Sequence, residues 1–269
     1  MTSFNKMLII GCGNMGGAML AGWIAAGQSP ERFEVLDRNL QDAPAGVVVH
    51  RALPDPAVFD CIMLGFKPQQ LSASAPDLQS FTQGKTVFSL LAGVELSMLT
   101  EAFPDAAAHV RVMPNLAVRI GKSPVILAGK GLDQAARDTA HGLFDDLGTA
   151  VWLDDESKFN LVTALAGSGP GFVYRFIDAL SGAAQELGLE PKMADALALS
   201  MVEGASQLAA GSDAPPAQLA ERVASKGGMT REGMNVLDAD GALKSLLIAT
   251  LKATSDRGGA LAAIARDQG

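Results

Sequence analysis

The sequence predicts an α/β domain built on a parallel sheet, followed by an all-α domain. Three observations carry this. Short apolar runs alternate with helical patterns up to residue 153, the signature of βαβ units. The first apolar run ends in a glycine-rich turn that opens a helix. Beyond residue 153 the strand pattern stops, and the chain becomes rich in Ala, Leu and Met at helical spacing.

In order, MLII at 7–10 is a continuous apolar run, as expected of a buried parallel strand. Met15, Met19, Leu20, Trp23 and Ile24 follow at helical spacing, with Gly27 as a stop. FEVL at 33–36 is the second strand and ends at Asp37; VVV at 47–49 and CIML at 61–64 continue the pattern. A helix over 69–80, a strand TVFSL at 86–90, a helix over 95–103 and a strand HVRVM at 109–113 come next. VWL at 151–153 is the last strand signal. Helices are then predicted over 155–166, 170–188, 191–210, 216–223, 230–239 and 241–266, broken by GSGPG, GLEP, GSDAPP and SKGGMT. The domains are therefore expected at 1–153 and 154–269.

Composition narrows the function. The chain has 269 residues and a net charge of −8, with no cluster of Lys and Arg, so a nucleic-acid partner is not expected. No apolar stretch reaches the ~18 residues of a membrane span, and the N-terminus lacks the apolar core of a signal peptide. A cytoplasmic protein is expected. Cys12 and Cys61 lie in a turn and a strand, outside any CxxC or His/Cys array, so neither a disulfide nor a metal is expected. The helix over 192–210 is apolar most of the way round, which calls for cover on both sides. A homodimer through the helical domain supplies that cover, with a larger homo-oligomer also open.

Gly11-Cys12-Gly13-Asn14-Met15-Gly16 is a GxGxxG between a strand and a helix, with Asp37 at the end of the next strand. In this pattern Gly11 permits the tight turn, Gly13 lets a pyrophosphate reach the backbone, and Gly16 lets the helix pack on the strand. The helix N-terminus, with Asn14 and Met15, presents N–H groups to the phosphates. This is the Rossmann-type dinucleotide fingerprint. Asp37 favours NADH by accepting from a free 2′-hydroxyl, whereas Arg38 favours NADPH by pairing with a 2′-phosphate. A solvated Arg38 is the plain alternative.

Six segments taken together resemble the pyrroline-5-carboxylate reductase family along the whole chain. They are GCGNMGGAM at 11–19, FKPQ at 66–69, LLAGV at 90–94, RVMPN at 111–115, ALAGSGP at 164–170 and VASKGGMT at 223–230. The resemblance implies a Rossmann-type domain followed by a helical dimerisation domain. It also implies hydride transfer from NADPH or NADH to the imine carbon of 1-pyrroline-5-carboxylate, giving L-proline. The implied active site lies between the cofactor domain of one subunit and the helical domain of its partner.

Site residues follow from both sources. Two glycines and a helix start make Gly228, Met229 and Thr230 a natural cradle for a carboxylate. The Thr230 hydroxyl suits the ring nitrogen, as orienter or proton relay; from the residues alone, a simple helix cap by Thr230 or Ser225 is equally open. The resemblance favours the substrate role and adds Ser168 and Gly169. Lys67 stands at the carboxyl edge of the sheet, where ligands bind in such folds, or is a solvated Lys before a proline turn. Ala92 and Gly93 leave room for a nicotinamide, and Asn115 is expected to shape its pocket. His50, His109 and His141 have no partners in sequence and are read as structural or surface residues. Departures from the family pattern are Leu116-Ala117 for Thr-Pro, Met229 for Thr and Ala52 for Asn. Rival readings are a reductase of a related cyclic imine, a β-hydroxyacid dehydrogenase (which needs a Lys that the 169–177 segment lacks) and a catalytically weak dinucleotide-binding paralogue.

Overall fold

The computed structural model describes residues 4–267. The chain divides into two compact units: 1–167 together with 254–269, and 168–253.

The first unit is an eight-stranded sheet in the order β3-β2-β1-β4-β5-β6-β7-β8. The strands are β1 (Met7–Ile10), β2 (Phe33–Leu36), β3 (Val48–His50), β4 (Cys61–Leu64), β5 (Thr86–Ser89), β6 (Ala108–Met113), β7 (Ser123–Lys130) and β8 (Gly148–Trp152). Every residue of β1, β4 and β5 is buried, because helices cover both faces of the sheet. The pleat sorts the two cores. Met7 and Ile9 pack on one side with Trp23, Phe88 and Phe144. Leu8 and Ile10 pack on the other with Leu78, Phe81, Leu99 and Phe103. Helix α1 (Asn14–Ala25) brings Trp23 flat onto Phe33, with ring centroids 4.9 Å apart. The indole N–H donates to the Leu143 carbonyl at 2.7 Å. Helices α2 (Leu71–Thr82), α3 (Leu96–Ala102) and α4 (Gln134–Asp145) complete the layers.

The structure corrects the expectation of a purely parallel sheet. β7 and α4 are absent from the sequence reading, and β7 runs antiparallel to β6, pairing Met113 with Ile126 and His109 with Lys130. Pro124 disguises this strand. It lies outside the stretch paired with β6 and faces only β8, where its missing N–H is tolerated.

The units also divide differently from the strand pattern. Strands end at Trp152, yet 154–167 group with the sheet: Phe159 of α5 (Phe159–Val162) is buried against Ile126 and Ala128. A π-helical turn, Thr163–Gly167, follows α5.

The second unit contains α6 (Gly169–Glu186), α7 (Pro191–Ala210), α8 (Pro216–Val223), α9 (Met229–Asp238) and the start of α10 (Ala242–Asp267). Pro191 opens α7, and the Glu190 carboxylate accepts from the Met193 N–H at 2.9 Å, an ordinary N-terminal cap. Gln185 on α6 donates to the Ser181 hydroxyl at 3.0 Å and to Asp195 of α7 at 3.3 Å, fixing the register of the two helices. The end of α10 returns to the first unit, where a Cβ on Gly258 would lie 3.2 Å from Asn160. No helix among the described residues is long and apolar enough to cross a membrane.

Candidate active site

At the carboxyl ends of β1, β2 and β4 the first unit opens a cleft of about 830 Å³. Gly11 makes it possible. Its φ is +83°, and a Cβ there would lie 2.7 Å from the Phe66 backbone nitrogen. Gly65 backs onto the same turn, where a Cβ would lie 2.3 Å from the Gly11 carbonyl oxygen. Gly13 differs: its missing Cβ would meet no atom within 4 Å, so it faces open space in the cleft at the N-cap of α1. A pyrophosphate fits there, close to the backbone and at the positive end of the helix.

The cleft brings together Gly11, Gly13, Asp37, Arg38, Lys67 and Ala92. Lys67 is exposed, and its backbone N–H donates to the Gln70 side chain at 3.2 Å. Asp37 is more occupied than its sequence position suggests. Its Oδ2 accepts from the Cys12 N–H at 2.8 Å, and its Oδ1 accepts from Asn39 and Leu40 at 2.8 and 3.0 Å. Burial works to raise its pKa, but these three N–H groups and the Arg51 guanidinium outweigh it and hold the carboxyl below the ordinary range. The Cys12 thiol, by contrast, is pushed up to about 11 by burial and by Asp37, so it stays protonated and inert.

Other predicted residues have different surroundings. Asn14 accepts from Arg119 at 3.1 Å, Met15 packs against the core and Gly16 backs onto Gly11. Gly93, at φ +78°, lies against α10, where a Cβ would come within 3.2 Å of the Ala262 nitrogen. Asn115 requires a correction. It is buried, does not line the cleft, and spends its amide on structure. Its Nδ2 donates to the Ala166 carbonyl in the π-turn at 2.9 Å, and its Oδ1 accepts from Ala117 at 2.9 Å. The sequence position suggests a part in shaping the nicotinamide pocket; the side chain instead ties the π-turn to the start of the next helical turn. His50 pairs with Glu34 and His109 bonds the Phe103 carbonyl, so both are structural.

In the second unit, Gly227 takes φ +70° and Gly228 caps α9, with Met229 and Thr230 as the first helical residues. A Cβ on Gly228 would lie 2.6 Å from the Ser225 hydroxyl oxygen and 3.1 Å from its carbonyl oxygen, so a larger residue there needs Ser225 to shift. Its N–H is not a free donor, because it bonds the Ser225 carbonyl at 3.0 Å. The cradle therefore reduces to the Met229 and Thr230 N–H groups, which have no acceptor within the helix. Arg231 staples the turn. It bonds both Glu221 carboxylate oxygens, and its Nη2 donates to the Ala224 carbonyl at 3.0 Å. Ser168 and Gly169 open α6, with Pro170 in its first turn.

Sequence reasoning missed Arg51 and Glu156. Arg51 lines the cleft and bonds the carbonyls of Asp37 and Leu40. The only hint in sequence is a basic residue directly after the third strand. Glu156 accepts from the buried Arg111 at 2.8 Å and from the Leu96 N–H at 2.8 Å, behind the Ala92–Gly93 loop. No short-range signal links these residues.

A doubly wound sheet with a glycine turn, an open helix N-terminus and cations at the strand ends is the plan of a dinucleotide-binding protein, the class to which nicotinamide-dependent oxidoreductases belong. Residues 6–93 match the description "NADP oxidoreductase coenzyme F420-dependent", and residues 156–261 match "Pyrroline-5-carboxylate reductase dimerisation". The chain is 34% identical to the pyrroline-5-carboxylate reductase of Methanosarcina acetivorans, covering 93% of this chain and 95% of that one. It is 30% identical to pyrroline-5-carboxylate reductase 2 of Bacillus subtilis, covering 94% and 93%. The solved structure of a Coxiella burnetii pyrroline-5-carboxylate reductase superposes with a TM-score of 0.88 at 28% identity, covering 96% and 99%. The chain belongs to the pyrroline-5-carboxylate reductase family.

Proposed function

We propose that this chain reduces 1-pyrroline-5-carboxylate to L-proline, the last step of proline biosynthesis, using NADPH or NADH. The observation that carries the reading is the pairing, in a chain of this family, of a dinucleotide cleft around Gly11 and Gly13 with a glycine-opened helix start at Gly228–Thr230. The reduced nicotinamide supplies the hydride. The chain's own residues bind and orient. Gly13 and the α1 N-terminus hold the phosphates, and Lys67 and Ala92 line the rest of the cleft. The Met229 and Thr230 N–H groups hold the substrate carboxylate. The Thr230 hydroxyl holds the ring nitrogen and its proton, so that the imine is presented as an electrophile. Ser168 and Gly169 complete the substrate contacts.

The protein works as a cytoplasmic homodimer. Tyr174, Leu208 and Val236 of the second unit are 68%, 76% and 73% exposed, an apolar surface that a partner subunit covers. A second reading is reduction of a related cyclic imine carboxylate: Met229 is 93% exposed at the cradle, where the family pattern has Thr, and its longer side chain reshapes the pocket.

The test is oxidation of NADPH and NADH by the purified protein with pyrroline-5-carboxylate, or with the six-membered piperideine carboxylate. The five-membered imine is expected to turn over faster, and T230V to lower kcat by about a hundredfold or more, the contribution of one positioned proton donor. Faster turnover of the six-membered imine supports the second reading. An unchanged kcat in T230V removes the role of that hydroxyl, and dinucleotide binding without turnover favours a weak paralogue.

A further inference from the structure

We propose that Glu156, aimed by Arg111, is a positioning residue for hydride transfer: its carboxylate fixes the start of α3 and, through it, the Ala92–Gly93 loop at the nicotinamide end of the cleft. The proposal rests on the dinucleotide reading of the cleft and names what sets the geometry at its far end.

The strand order places Asp37, Arg38 and Arg51 on one side of β1, and Leu90 and Ala92 on the other. A dinucleotide with its pyrophosphate at Gly13 therefore carries its adenosine toward β2 and its nicotinamide toward β5. The wall at that second end is a turn with almost no side chain of its own, since Ala92 and Gly93 form it. Its place is set by what lies on either side. Leu91 and Val94 are buried in the core, and Gly93 lies against the α10 backbone, where a Cβ would be 3.2 Å from the Leu261 carbonyl carbon. Just beyond the turn, α3 begins at Leu96.

This helix does not cap itself. Glu95 stands at its N-cap and makes no side-chain cap bond. The Leu96 N–H, a donor without an acceptor inside the helix, is taken instead by Glu156 at 2.8 Å, 60 positions further along the chain. Glu156 is itself aimed. Arg111 of β6 donates to the same carboxylate oxygen at 2.8 Å, and its guanidinium is held over the Phe159 ring at 3.7 Å. Glu95 sends its own carboxylate to Arg266 of α10 at 3.4 Å, a more exposed and weaker tie. The turn beside the nicotinamide is thus tethered to groups outside β5 and α3, with the carboxylate of Glu156 as the strongest tether. Hydride transfer needs the two carbons at contact distance, so a small shift of this wall slows the reaction more than it weakens binding.

The experiment compares the wild type with E156A, E156Q and R111M/E156A as full chains, well below their melting temperatures. It reads kcat with pyrroline-5-carboxylate, the fluorescence that NADPH gains on binding, and the affinity for adenosine 5′-diphosphate, which reaches only the other half of the cleft. E156A is expected to lower kcat by about ten- to a hundredfold, the effect of misplacing a reacting group by up to about 1 Å. The NADPH fluorescence gain is expected to fall with it, and the adenosine diphosphate affinity to stay unchanged. E156Q keeps an acceptor oxygen for Leu96 and is expected to regain part of the loss. The double variant removes the buried cation that E156A leaves unpaired, and so recovers stability, but the Leu96 N–H still lacks its carboxylate. Its kcat and fluorescence are therefore expected to stay low. Wild-type kcat and fluorescence in E156A overturn the proposal. So does a double variant that regains both along with its stability, since that is the mark of a merely structural pair, or an adenosine diphosphate affinity that falls as far as kcat. A wild type that binds NADPH but reduces no pyrroline-5-carboxylate contradicts the proposed reaction alone, because the fluorescence comparison still decides the positioning role.

Discussion

Removal of the Glu156 carboxylate tests how the sheet is joined to the segment that follows it. The Arg111 side chain is only 5% exposed and its guanidinium lies 3.7 Å from the centre of the Phe159 ring. Glu156 is the single ion-pair partner of Arg111 among the described residues, and it also accepts from the Leu96 N–H at the start of α3. Truncating one member of a fully buried pair costs about 3–5 kcal/mol. The Glu156 side chain is 30% exposed, so water reaches the vacated site and roughly half of that is recovered. The lost bond to Leu96 adds about 1 kcal/mol. E156A is thus expected to lose about 2–4 kcal/mol, seen as a fall in Tm of roughly 5–10 °C. E156Q keeps an acceptor oxygen and is expected to lose about half as much. The double variant R111M/E156A is expected to regain most of the loss, because no buried cation is left without a partner. Thermal and urea unfolding followed by circular dichroism supply the values. E156A within about 0.5 kcal/mol of wild type, or a double variant showing the simple sum of the single losses, refutes the reasoning.

Three further outcomes are expected. In α1, a Cβ on Gly22 would lie 2.4 Å from the Val118 carbonyl oxygen, so G22A is expected to cost about 1–3 kcal/mol. In α4, Gly142 is exposed and meets nothing within 4 Å, so G142A is expected to stabilise by about 0.5–1 kcal/mol; urea midpoints distinguish the two signs. Asp37 ionises more readily in the fold than in the unfolded chain, so its contribution is present above the ordinary aspartate range near pH 4 and is lost as pH falls through its lower folded value. The urea midpoint is expected to fall in that acid window and to fall less steeply in D37N; parallel curves for the two proteins contradict this.

Much of the first unit is legible in the chain because buried parallel strands have no polar face. MLII, FEVL and CIML coincide with β1, β2 and β4 residue for residue. β7 is hidden because Pro124 marks it as non-strand by local rules, and only its register beside β8 excuses the proline. The place where the sheet ends is equally legible, but the packing boundary is not. It depends on Phe159 finding Ile126 and Ala128, a long-range contact that the strand pattern does not record. At the site, the tight turn at Gly11 is readable because it is a backbone conformation, whereas the Gly228 N–H, expected as a free donor, bonds the Ser225 carbonyl. Asn115 and Asp37 are more occupied than their motif positions suggest, for a common reason. A polar side chain in a motif looks available until the backbone groups around it are counted, and here the π-turn carbonyl and three N–H groups take them first.

The return of α10 to the first unit gives the chain an order of completion. Synthesis runs from the N-terminus, and the strands up to Trp152 are available to pair long before α10 exists. The Ala92–Gly93 loop, however, packs on Leu261 and Ala262, and Ala92 also lines a smaller pocket of about 230 Å³ walled by Leu261 and Ile264. That wall is synthesised long after the loop that it covers. A nascent chain therefore carries a glycine turn able to meet phosphates well before the other end of its cleft is closed, and a chain cut short before residue 261 keeps its sheet while leaving that end open.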